Sequence, residues 1–208
     1  VPAETATDER RVALVPPAAK KLVERGHAVV VESDAGSGAG WLDDEYATVG
    51  CDVVEDRSIV FDRADVLLQV RALGADPAAA AGTSEYREHQ VVVGLLGPHA
   101  IDEATFEVLA ERRVSAFALE RLPRISRAQS MDALTSMASV AGYKAAVLAA
   151  ARLPKLVPMQ MTAAGTVQPA TVFVVGAGVA GLQAIATAKR LGARVTAYDI
   201  RPSVQEEI

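Results

Sequence analysis

A glycine-rich segment between two apolar runs constrains the fold more than any other part of the chain. It reads Thr171-Val-Phe-Val-Val-Gly-Ala-Gly-Val-Ala-Gly181. The run 170–175 predicts a buried strand, 179–191 predicts a helix, and 194–199 predicts a second strand that ends in Asp199. A glycine turn between a strand and a helix, with an acidic residue about 20 positions on, is typical of a dinucleotide-binding Rossmann unit.

Each glycine of this segment has a mechanical role in such a unit. Gly176 permits the tight turn, Gly178 lets the backbone approach a pyrophosphate, and Gly181 lets the helix pack closely on the sheet. The helix N-terminus adds unpaired N–H groups and a partial positive charge. We therefore expect phosphate contacts along Gly176, Ala177, Gly178, Val179, Ala180 and Gly181. A glycine turn that serves packing alone is the alternative.

The acidic residue that ends the second predicted strand favours NAD over NADP. The Asp199 carboxylate would accept hydrogen bonds from the adenosine ribose and would repel a 2′-phosphate. Ile200 and Arg201 follow it and belong to the same predicted nucleotide site. Arg201 could attract a 2′-phosphate, but beside Asp199 we interpret it as a solvated loop residue or a contact on the adenine side.

The composition fits an α/β protein and excludes several other classes. Of the 208 residues, 50% are hydrophobic and 4% aromatic, so the core must be mainly aliphatic, which suits parallel strands covered by helices. A net charge of -5 offers no basic surface for nucleic acid. The single cysteine, Cys51, excludes an internal disulfide, and the histidines His27, His89 and His99 show no metal-ligand spacing, so no metal site is predicted.

Two stretches are long and apolar enough to suggest a membrane span. Residues 156–188 carry no charge, and 131–151 carry only Asp132 and Lys144. Prolines and the glycine motif interrupt the first stretch, and a lysine in the middle of the second would cost ~3 kcal/mol on insertion. We therefore predict that both stretches are buried core and that the chain itself is soluble.

The apolar periodicity predicts alternating strands and helices along the N-terminal half of the chain. The predicted strands are 28–32, 65–70, 90–95 and 114–119, the predicted helices are 17–25 and 102–112, and 75–82 is a weak helix or a loop. Strands separated by helices imply right-handed crossovers and a parallel sheet.

A polar, basic segment at 121–130 indicates a hinge or a site loop, and a long helix is predicted at 131–151 before a proline-containing connector. We therefore predict an α/β fold with two parallel-sheet domains, 1–130 and 131–208. The second is expected to be a truncated Rossmann domain, in which 202–208 forms the first turn of a further helix.

Four segments carry a resemblance to a known family. They are Glu9-Arg-Arg-Val-Ala-Leu-Val-Pro16, Pro123-Arg-Ile-Ser-Arg-Ala-Gln-Ser-Met-Asp-Ala-Leu134, Ala141-Gly-Tyr143 and Val174-Val-Gly-Ala-Gly-Val-Ala-Gly-Leu182. Through them the whole chain resembles the NAD(H)-binding domain of the alpha subunit of proton-translocating NAD(P) transhydrogenases. The resemblance implies that Arg124, Gln129 and Asp132 hold the nicotinamide ring, with Thr135 and Tyr143 as neighbours.

The residues themselves make that role plausible. Gln129 can donate to and accept from a carboxamide, Asp132 can accept from the same group or a ribose, and Arg124 offers a fork of donors. However, Ser126 and Gln129 also fit the S-x-x-Q capping-box pattern ahead of an apolar helix. The sequence therefore leaves open whether Gln129 contacts the nicotinamide or caps that helix.

The sister family, the alanine dehydrogenases, is the strongest rival. Oxidative deamination requires acid/base groups, for which that family uses a lysine and a histidine. The corresponding positions hold Gln69 and Gly97, with His99 two residues away from the second. Transfer of hydride between two nicotinamides requires no such group, which favours transhydrogenation. A catalytically inactive NAD-binding module is the third possibility.

The resemblance also implies cofactors and partners. It implies NAD(H) on this chain and NADP(H) on a partner domain or beta subunit, with hydride transfer from NADH to NADP+ coupled to proton translocation. A homodimer and membrane-spanning transhydrogenase components are expected partners, with the chain peripheral on the cytoplasmic side of the membrane.

Overall fold

The computed structural model describes residues 1–76 and 85–207 and divides the chain into two compact units, Val1–Met131 and Asp132–Ile208. The sequence placed the boundary one residue earlier, after residue 130. The weak helix or loop predicted at 75–82 lies mostly outside the described residues, although a short 3-10 turn covers Leu73–Ala75.

The first unit alternates short helices and strands, as its periodicity predicts. Its elements are α1 (Pro16–Val23), β1 (Val30–Glu32), α2 (Asp43–Thr48), β2 (Asp52–Val54), α3 (Arg57–Arg63), β3 (Val66–Arg71), β4 (Val91–Leu95), α4 (Glu103–Glu111) and β5 (Ser115–Ala118). The six elements predicted here are confirmed with small shifts at their ends. The sequence missed α2, β2 and α3, which are too short for apolar periodicity to reveal.

The strands of this unit are parallel, as predicted. β1 pairs with β2, and β4 lies between β3 and β5. Val1 extends the β1 ladder, because its nitrogen donates to the Val30 carbonyl at 2.7 Å and its own carbonyl accepts from the Glu32 N–H at 3.0 Å. The carboxyl ends of β3, β4 and β5 therefore meet at one edge of their sheet.

The core of the first unit is mainly aliphatic, which confirms the expectation from composition. One cluster packs around β3 and β4 and includes Val60, Phe61, Leu67, Leu73, Tyr86, Val92, Leu96 and Leu109. A second packs around β1 and includes Leu14, Ala19, Val29, Val31, Tyr46 and Cys51. Within the second cluster, the Tyr46 hydroxyl donates to the Leu14 carbonyl at 2.8 Å, and Cys51 is a free buried thiol.

The second unit contains the predicted strand, helix and strand around the glycine motif. Its elements are α5 (Ala133–Arg152), β6 (Gln160–Thr162), β7 (Gly165–Val167), β8 (Thr171–Val175), α6 (Val179–Arg190) and β9 (Arg194–Tyr198). β8 and β9 are parallel, and Thr171 lies opposite Arg194. The parallel pairing confirms the predicted β-α-β unit.

Two local predictions for this unit are wrong. The proline-containing connector contains an antiparallel hairpin, β6–β7, whose three-residue strands are too short to give a sequence signal. The segment after β9 is a 3-10 helix, Pro202–Glu207, and not the first turn of an α-helix. The Val204 N–H donates to the Arg201 carbonyl at 3.3 Å, three residues back, which is the 3-10 pattern.

The prediction that strand 170–175 and stretch 131–151 are buried core is also wrong. Phe173 is 62% exposed and Val175 is 74% exposed, and in α5 the buried residue is Gly142. In the part of the chain that the structure describes, α6 packs against one face of β8–β9 through Ile185, and α5 packs on α6. The other face of the strands and the outer side of α5 are open.

The two apolar stretches differ in how far they resemble a membrane span. Within the described residues, α5 has the length and composition of a spanning helix, a criterion that the core helix of a soluble protein also meets. The stretch 156–188 instead forms the hairpin, β8 and most of α6. The interpretation that 156–188 is not a spanning helix is therefore confirmed.

Candidate nucleotide site

The glycine turn between β8 and α6 has the geometry that a pyrophosphate requires. Gly176 has φ +92°, in the left-handed region that favours glycine. A side chain at Gly181 would clash with the Gly176 carbonyl oxygen, so the third glycine lets the helix close on the turn. A side chain at Gly178 would meet nothing closer than Arg201 Nη2 at 4.0 Å. The backbone at Gly178 is therefore open to an approaching ligand.

The N-terminus of α6 faces this turn without a side-chain cap. Gly178 is the cap residue and provides no hydrogen-bonding side chain, and the helix begins at Val179. The first N–H groups of a helix have no partner within the helix and carry a partial positive charge. Together with the open backbone at Gly178, they can receive the phosphate oxygens of a dinucleotide.

Asp199, directly after β9, reaches back to the glycine turn. Its Oδ2 accepts from the Ala177 N–H at 2.8 Å, and its side chain is 9% exposed. Asp199 thus lies beside the turn, where a ribose attached to the pyrophosphate would come within reach.

Arg201 is an exposed loop residue, as the sequence-based interpretation has it, with a side chain that is 56% exposed. It also forms a fork on Asp199, which the sequence analysis did not predict. Its Nε and backbone N–H donate to Asp199 Oδ1 at 3.0 and 2.9 Å, and its Nη2 donates to Oδ2 at 3.0 Å. The D-x-R spacing, in which a cation follows a carboxylate by two residues, is the signal that could have predicted this pair.

This arrangement keeps Asp199 ionised. The hydrogen bonds from the Arg201 side chain, and after them those from the Arg201 and Ala177 backbone N–H groups, hold the pKa of the Asp199 carboxyl well below its ordinary range. The carboxylate accepts the hydrogen bonds of Ala177 and Arg201, and it carries a negative charge that would repel a 2′-phosphate.

Two apolar residues of the predicted nucleotide site are open at its surface, whereas Ala177 is buried. Ile200 is 84% exposed and Val179 is 42% exposed. The Ala180 backbone carbonyl lies against Gly142 of α5. Ile200 and Val179 are thus the apolar side chains of the site that a flat base could cover.

The residues that the resemblance assigns to the nicotinamide are divided between the two units. In the first unit, Arg124 and Gln129 are exposed, and Gln129 lies in a 3-10 helix, Ser126–Met131. In the second unit, Asp132 Oδ1 accepts from the Thr135 N–H at 2.9 Å, and Oδ2 accepts from Thr135 Oγ1 at 2.7 Å. Tyr143 is 52% exposed on α5. The structure therefore brings Asp132 and Thr135 together.

The capping-box interpretation of Gln129 is wrong for the long helix. α5 begins at Ala133, and its cap residue is Asp132, whose carboxylate accepts from Thr135. The Ser126 and Gln129 pair precedes the cap and lies in the separate 3-10 helix. An Asp directly before the apolar helix was the better capping signal.

The positions that correspond to the acid/base residues of alanine dehydrogenases hold residues with structural contacts. Gln69 is 4% exposed and accepts from the Tyr86 hydroxyl at 3.3 Å. Gly97 has φ +56°, and its N–H donates to Glu120 Oε1 at 2.6 Å. His99 Nε2 lies 3.4 Å from Arg121 Nη1 at the surface. Glu120 accepts from the Leu96 and Gly97 N–H groups of the turn after β4, and no motif in the sequence marks it.

A metal site and a cavity in the first unit are less well supported as functional sites than the glycine turn. Among the described residues, no group of three or more His, Cys, Asp and Glu side chains could hold a metal ion. A cavity of about 550 Å³ in the first unit lies between β1 and the start of β3. It is lined mainly by apolar side chains such as Leu14, Leu22 and Leu68, and it contains none of the predicted nucleotide-site residues.

Comparison with known proteins gives consistent matches along the whole chain. Residues 1–141 match the family described as "Alanine dehydrogenase/PNT, N-terminal domain", and residues 145–208 match "Alanine dehydrogenase/PNT, C-terminal domain". An NAD(P) transhydrogenase alpha-subunit protein from Rhodospirillum rubrum is 44% identical over 100% of this chain and 54% of its own length. An alanine dehydrogenase from Methanococcus maripaludis is 30% identical over 96% of this chain and 52% of its own length.

A solved structure agrees with these matches. The transhydrogenase from Sinorhizobium meliloti superposes with a TM-score of 0.90 and 45% identity, covering 99% of this chain and 57% of that one. The chain spans about half the length of the curated relatives it matches. With both family domains matched in order and the α/β fold with a Rossmann-type unit confirmed, the chain belongs to the alanine dehydrogenase/PNT family.

Proposed function

We propose that this chain is the NAD(H)-binding part of a proton-translocating NAD(P) transhydrogenase, an oxidoreductase that transfers hydride between NADH and NADP+. The observation that carries the proposal is the ionised Asp199 carboxylate held against the Ala177 N–H of an open glycine turn. The 44% identity to a transhydrogenase alpha subunit supports the same function.

The nucleotide on this chain is NAD(H), and NADP(H) binds to a partner. The turn from Gly176 to Gly181 receives the pyrophosphate, and Asp199 reads the ribose hydroxyls. The negative charge of Asp199 disfavours a 2′-phosphate at this position. An NADP-binding domain or beta subunit therefore supplies the second nucleotide.

The nicotinamide ring is held by Arg124, Gln129 and Asp132, with Thr135 and Tyr143 beside them. Asp132 caps α5 through Thr135, and its carboxylate, at the start of that helix, is the acceptor proposed for the nicotinamide end of the ligand. Direct hydride transfer needs two rings held face to face and no acid or base from the protein. The structural roles of Gln69 and Gly97 fit that requirement.

The remaining partners are a second copy of this chain and membrane-spanning transhydrogenase components, with this part peripheral on the cytoplasmic side. Exposed apolar residues of the second unit support a homodimer: Val140 on α5 is 56% exposed, and Met161 on the hairpin is 73% exposed. Apolar surface of this kind is typical of a protein interface. Sedimentation of the natural protein at two concentrations tests the dimer.

An alanine dehydrogenase is the second candidate, because a relative of that name is 30% identical over 96% of the chain. The two functions differ in their second substrate. We expect the natural protein, in membranes that contain its partners, to transfer hydride from NADH to an NADP+ analogue with a distinct absorbance. L-alanine with NAD+ should give no NADH. Alanine-dependent NADH formation without NADP+ would replace the proposal by the second candidate.

A further inference from the structure

The guanidinium of Arg201 donates to both oxygens of Asp199, the carboxylate proposed to read the ribose of the nucleotide. We infer that Arg201 guards Asp199, so that NAD(H) is seated only after the guanidinium has left the carboxylate. The inference rests on the proposed function, because it concerns the same nucleotide site. It adds a residue that lowers the affinity for NAD(H) and narrows the discrimination between NAD(H) and NADP(H).

The first step is the count of hydrogen bonds at Asp199. A carboxylate offers about four acceptor positions. Asp199 Oδ1 receives the backbone N–H and Nε of Arg201, and Oδ2 receives Arg201 Nη2 and the Ala177 N–H, all between 2.8 and 3.0 Å. Two ribose hydroxyls that donate to this carboxylate therefore need positions that are already filled.

The donors on Asp199 differ in how easily they can leave the carboxylate. The Ala177 and Arg201 N–H groups belong to the backbone of the glycine turn and of the segment after β9, so they stay in place. The Arg201 side chain is 56% exposed, and water can replace its partner. The guanidinium is therefore the group that gives way to the ribose.

The third step is the position of the guanidinium over the glycine turn. If Gly178 carried a Cβ atom, the nearest atom to it would be Arg201 Nη2, at 4.0 Å. The second glycine of the motif is open so that the protein backbone and the pyrophosphate can approach each other there. Arg201 thus covers the ribose-reading carboxylate and lies at the border of the open glycine turn.

Removal of the Arg201 guanidinium should change the NADH affinity in opposite directions, depending on whether Arg201 guards Asp199 or only attracts the nucleotide. NADH is an anion, so removal of a nearby positive charge that merely attracts it weakens binding. Removal of a guard strengthens binding, because the fork on Asp199 no longer has to be broken. An exposed ion pair makes a small contribution, which corresponds to an affinity change of about two- to fivefold.

NADPH should not gain affinity from the same substitution. Its 2′-phosphate offers Arg201 a new partner when the guanidinium leaves Asp199, whereas NADH offers none. Loss of the guanidinium therefore removes a compensating contact for NADPH alone. The ratio of the NADPH and NADH dissociation constants should rise.

The experiment is calorimetric titration of the natural protein with NADH and with NADPH at fixed ionic strength. We expect Arg201→Gln to bind NADH about two- to fivefold more tightly than the wild type and NADPH no more tightly. Arg201→Lys keeps the charge but not the planar fork, so it should also tighten NADH binding. Arg194→Gln is the matched control, because it removes an exposed arginine from the start of β9. It should not tighten NADH binding.

Two results separate the failure of the guard from the failure of the proposed function. If the wild type binds NADH and Arg201→Gln binds it equally or more weakly, the guard is overturned and the NAD(H) site stands. If the wild type binds no NADH, the proposed nucleotide site and the guard are both overturned. Thermal midpoints measured on the same samples show that each variant is folded.

Discussion

At the scale of single residues, one carboxylate connects the two halves of the Rossmann unit. Asp199 follows β9, yet its Oδ2 holds the Ala177 N–H of the turn that follows β8. The contact fixes the distance between the phosphate turn and the ribose-reading group before any ligand arrives. Such preorganisation reduces the ordering cost of binding.

The first prediction concerns this carboxylate. Asp199→Asn keeps an oxygen for the Ala177 N–H but loses the negative charge and one of the two accepting oxygens. NADH binding by the natural protein should weaken by roughly tenfold or more, because hydrogen bonds to charged groups are stronger than neutral ones. The preference for NADH over NADPH should narrow as the repulsion disappears.

Calorimetry with both nucleotides checks this outcome. Asp102→Asn is the matched control, since it makes the same charge change at the cap of α4 in the other unit. Equal affinity of Asp199→Asn and wild type for both nucleotides would show that Asp199 does not read the ribose.

The second residue-scale prediction concerns alkaline stability. Burial raises the pKa of the Tyr46 phenol from about 10 to about 12, and its hydroxyl donates to the Leu14 carbonyl. Above the unfolded pKa, the unfolded chain loses its proton while the folded protein retains it. Stability should therefore be full below pH about 10 and fall as the pH rises towards about 12.

Tyr46→Phe tests that account. At neutral pH it should lower the free energy of unfolding by ~1 kcal/mol through the lost hydrogen bond. Its thermal midpoint should also decline less steeply than that of the wild type above pH about 10. Tyr143→Phe, at an exposed tyrosine, is the control. If the thermal midpoints of Tyr46→Phe and the wild type fall in parallel as the pH rises, Tyr46 is excluded as a source of the loss of stability at alkaline pH.

At the scale of elements, α5 and α6 approach each other at one glycine. Gly142 is the buried residue of α5, and a side chain there would overlap the Ala180 carbonyl oxygen of α6. Ala180 belongs to the first turn of α6, directly after the phosphate turn. The position of α5 therefore supports the helix N-terminus that the proposed site uses.

Helix propensity and packing predict opposite effects for Gly142→Ala. Propensity alone predicts that the variant is more stable by ~1 kcal/mol. The close approach to Ala180 instead predicts a loss of ~1 to 3 kcal/mol, as for other overpacked cores, together with weaker NADH binding. Denaturant titration measures whether Gly142→Ala raises or lowers the free energy of unfolding. Ala141→Ser, which adds one atom at the neighbouring exposed position, should change stability little; a stabilised Gly142→Ala would contradict the packing account.

The elements also show what the sequence could predict. The β8–α6–β9 unit was predictable because glycines, periodicity and an acidic residue agree over about 30 positions. The hairpin β6–β7 was not, because three-residue strands give no periodic signal. The exposure of Phe173 was missed because a continuous apolar run does not reveal which face lacks a covering layer.

The sequence predicted the location of the candidate site better than it predicted the contacts of its side chains. The phosphate turn and Asp199 follow from motif geometry, whereas the fork of Arg201 on Asp199 depends on rotamers that a sequence does not specify. The cap role of Asp132 was visible as an Asp before an apolar helix, but the S-x-x-Q pattern at Ser126 and Gln129 competed with it. Local patterns therefore did not specify the contacts of Arg201, and they offered two competing caps for the long helix.

At the scale of the whole molecule, hydride transfer requires the nicotinamide ring to be placed relative to a second nucleotide on a partner. Gln129→Asn keeps the amide and shortens its reach by one methylene. Adenosine and pyrophosphate contacts should preserve most of the NADH affinity. A shift of ~1 Å at the reacting atoms can cost ~10²-fold in rate, so hydride transfer should fall far more than binding.

Asp132→Asn and Asp132→Ala separate ligand contact from helix capping in the same assay. Asn caps nearly as well as Asp, so Asp132→Asn should keep the thermal midpoint and lose transfer rate if the carboxylate contacts the nucleotide. Asp132→Ala should also lose stability, by ~0.5 to 2 kcal/mol, as the Thr135 N–H loses its partner. Single-turnover transfer and melting are measured on each sample, with the NADP-binding partner present. A near-normal rate in Gln129→Asn and Asp132→Asn would remove both residues from the proposed nicotinamide site and leave Asp132 with its structural role alone.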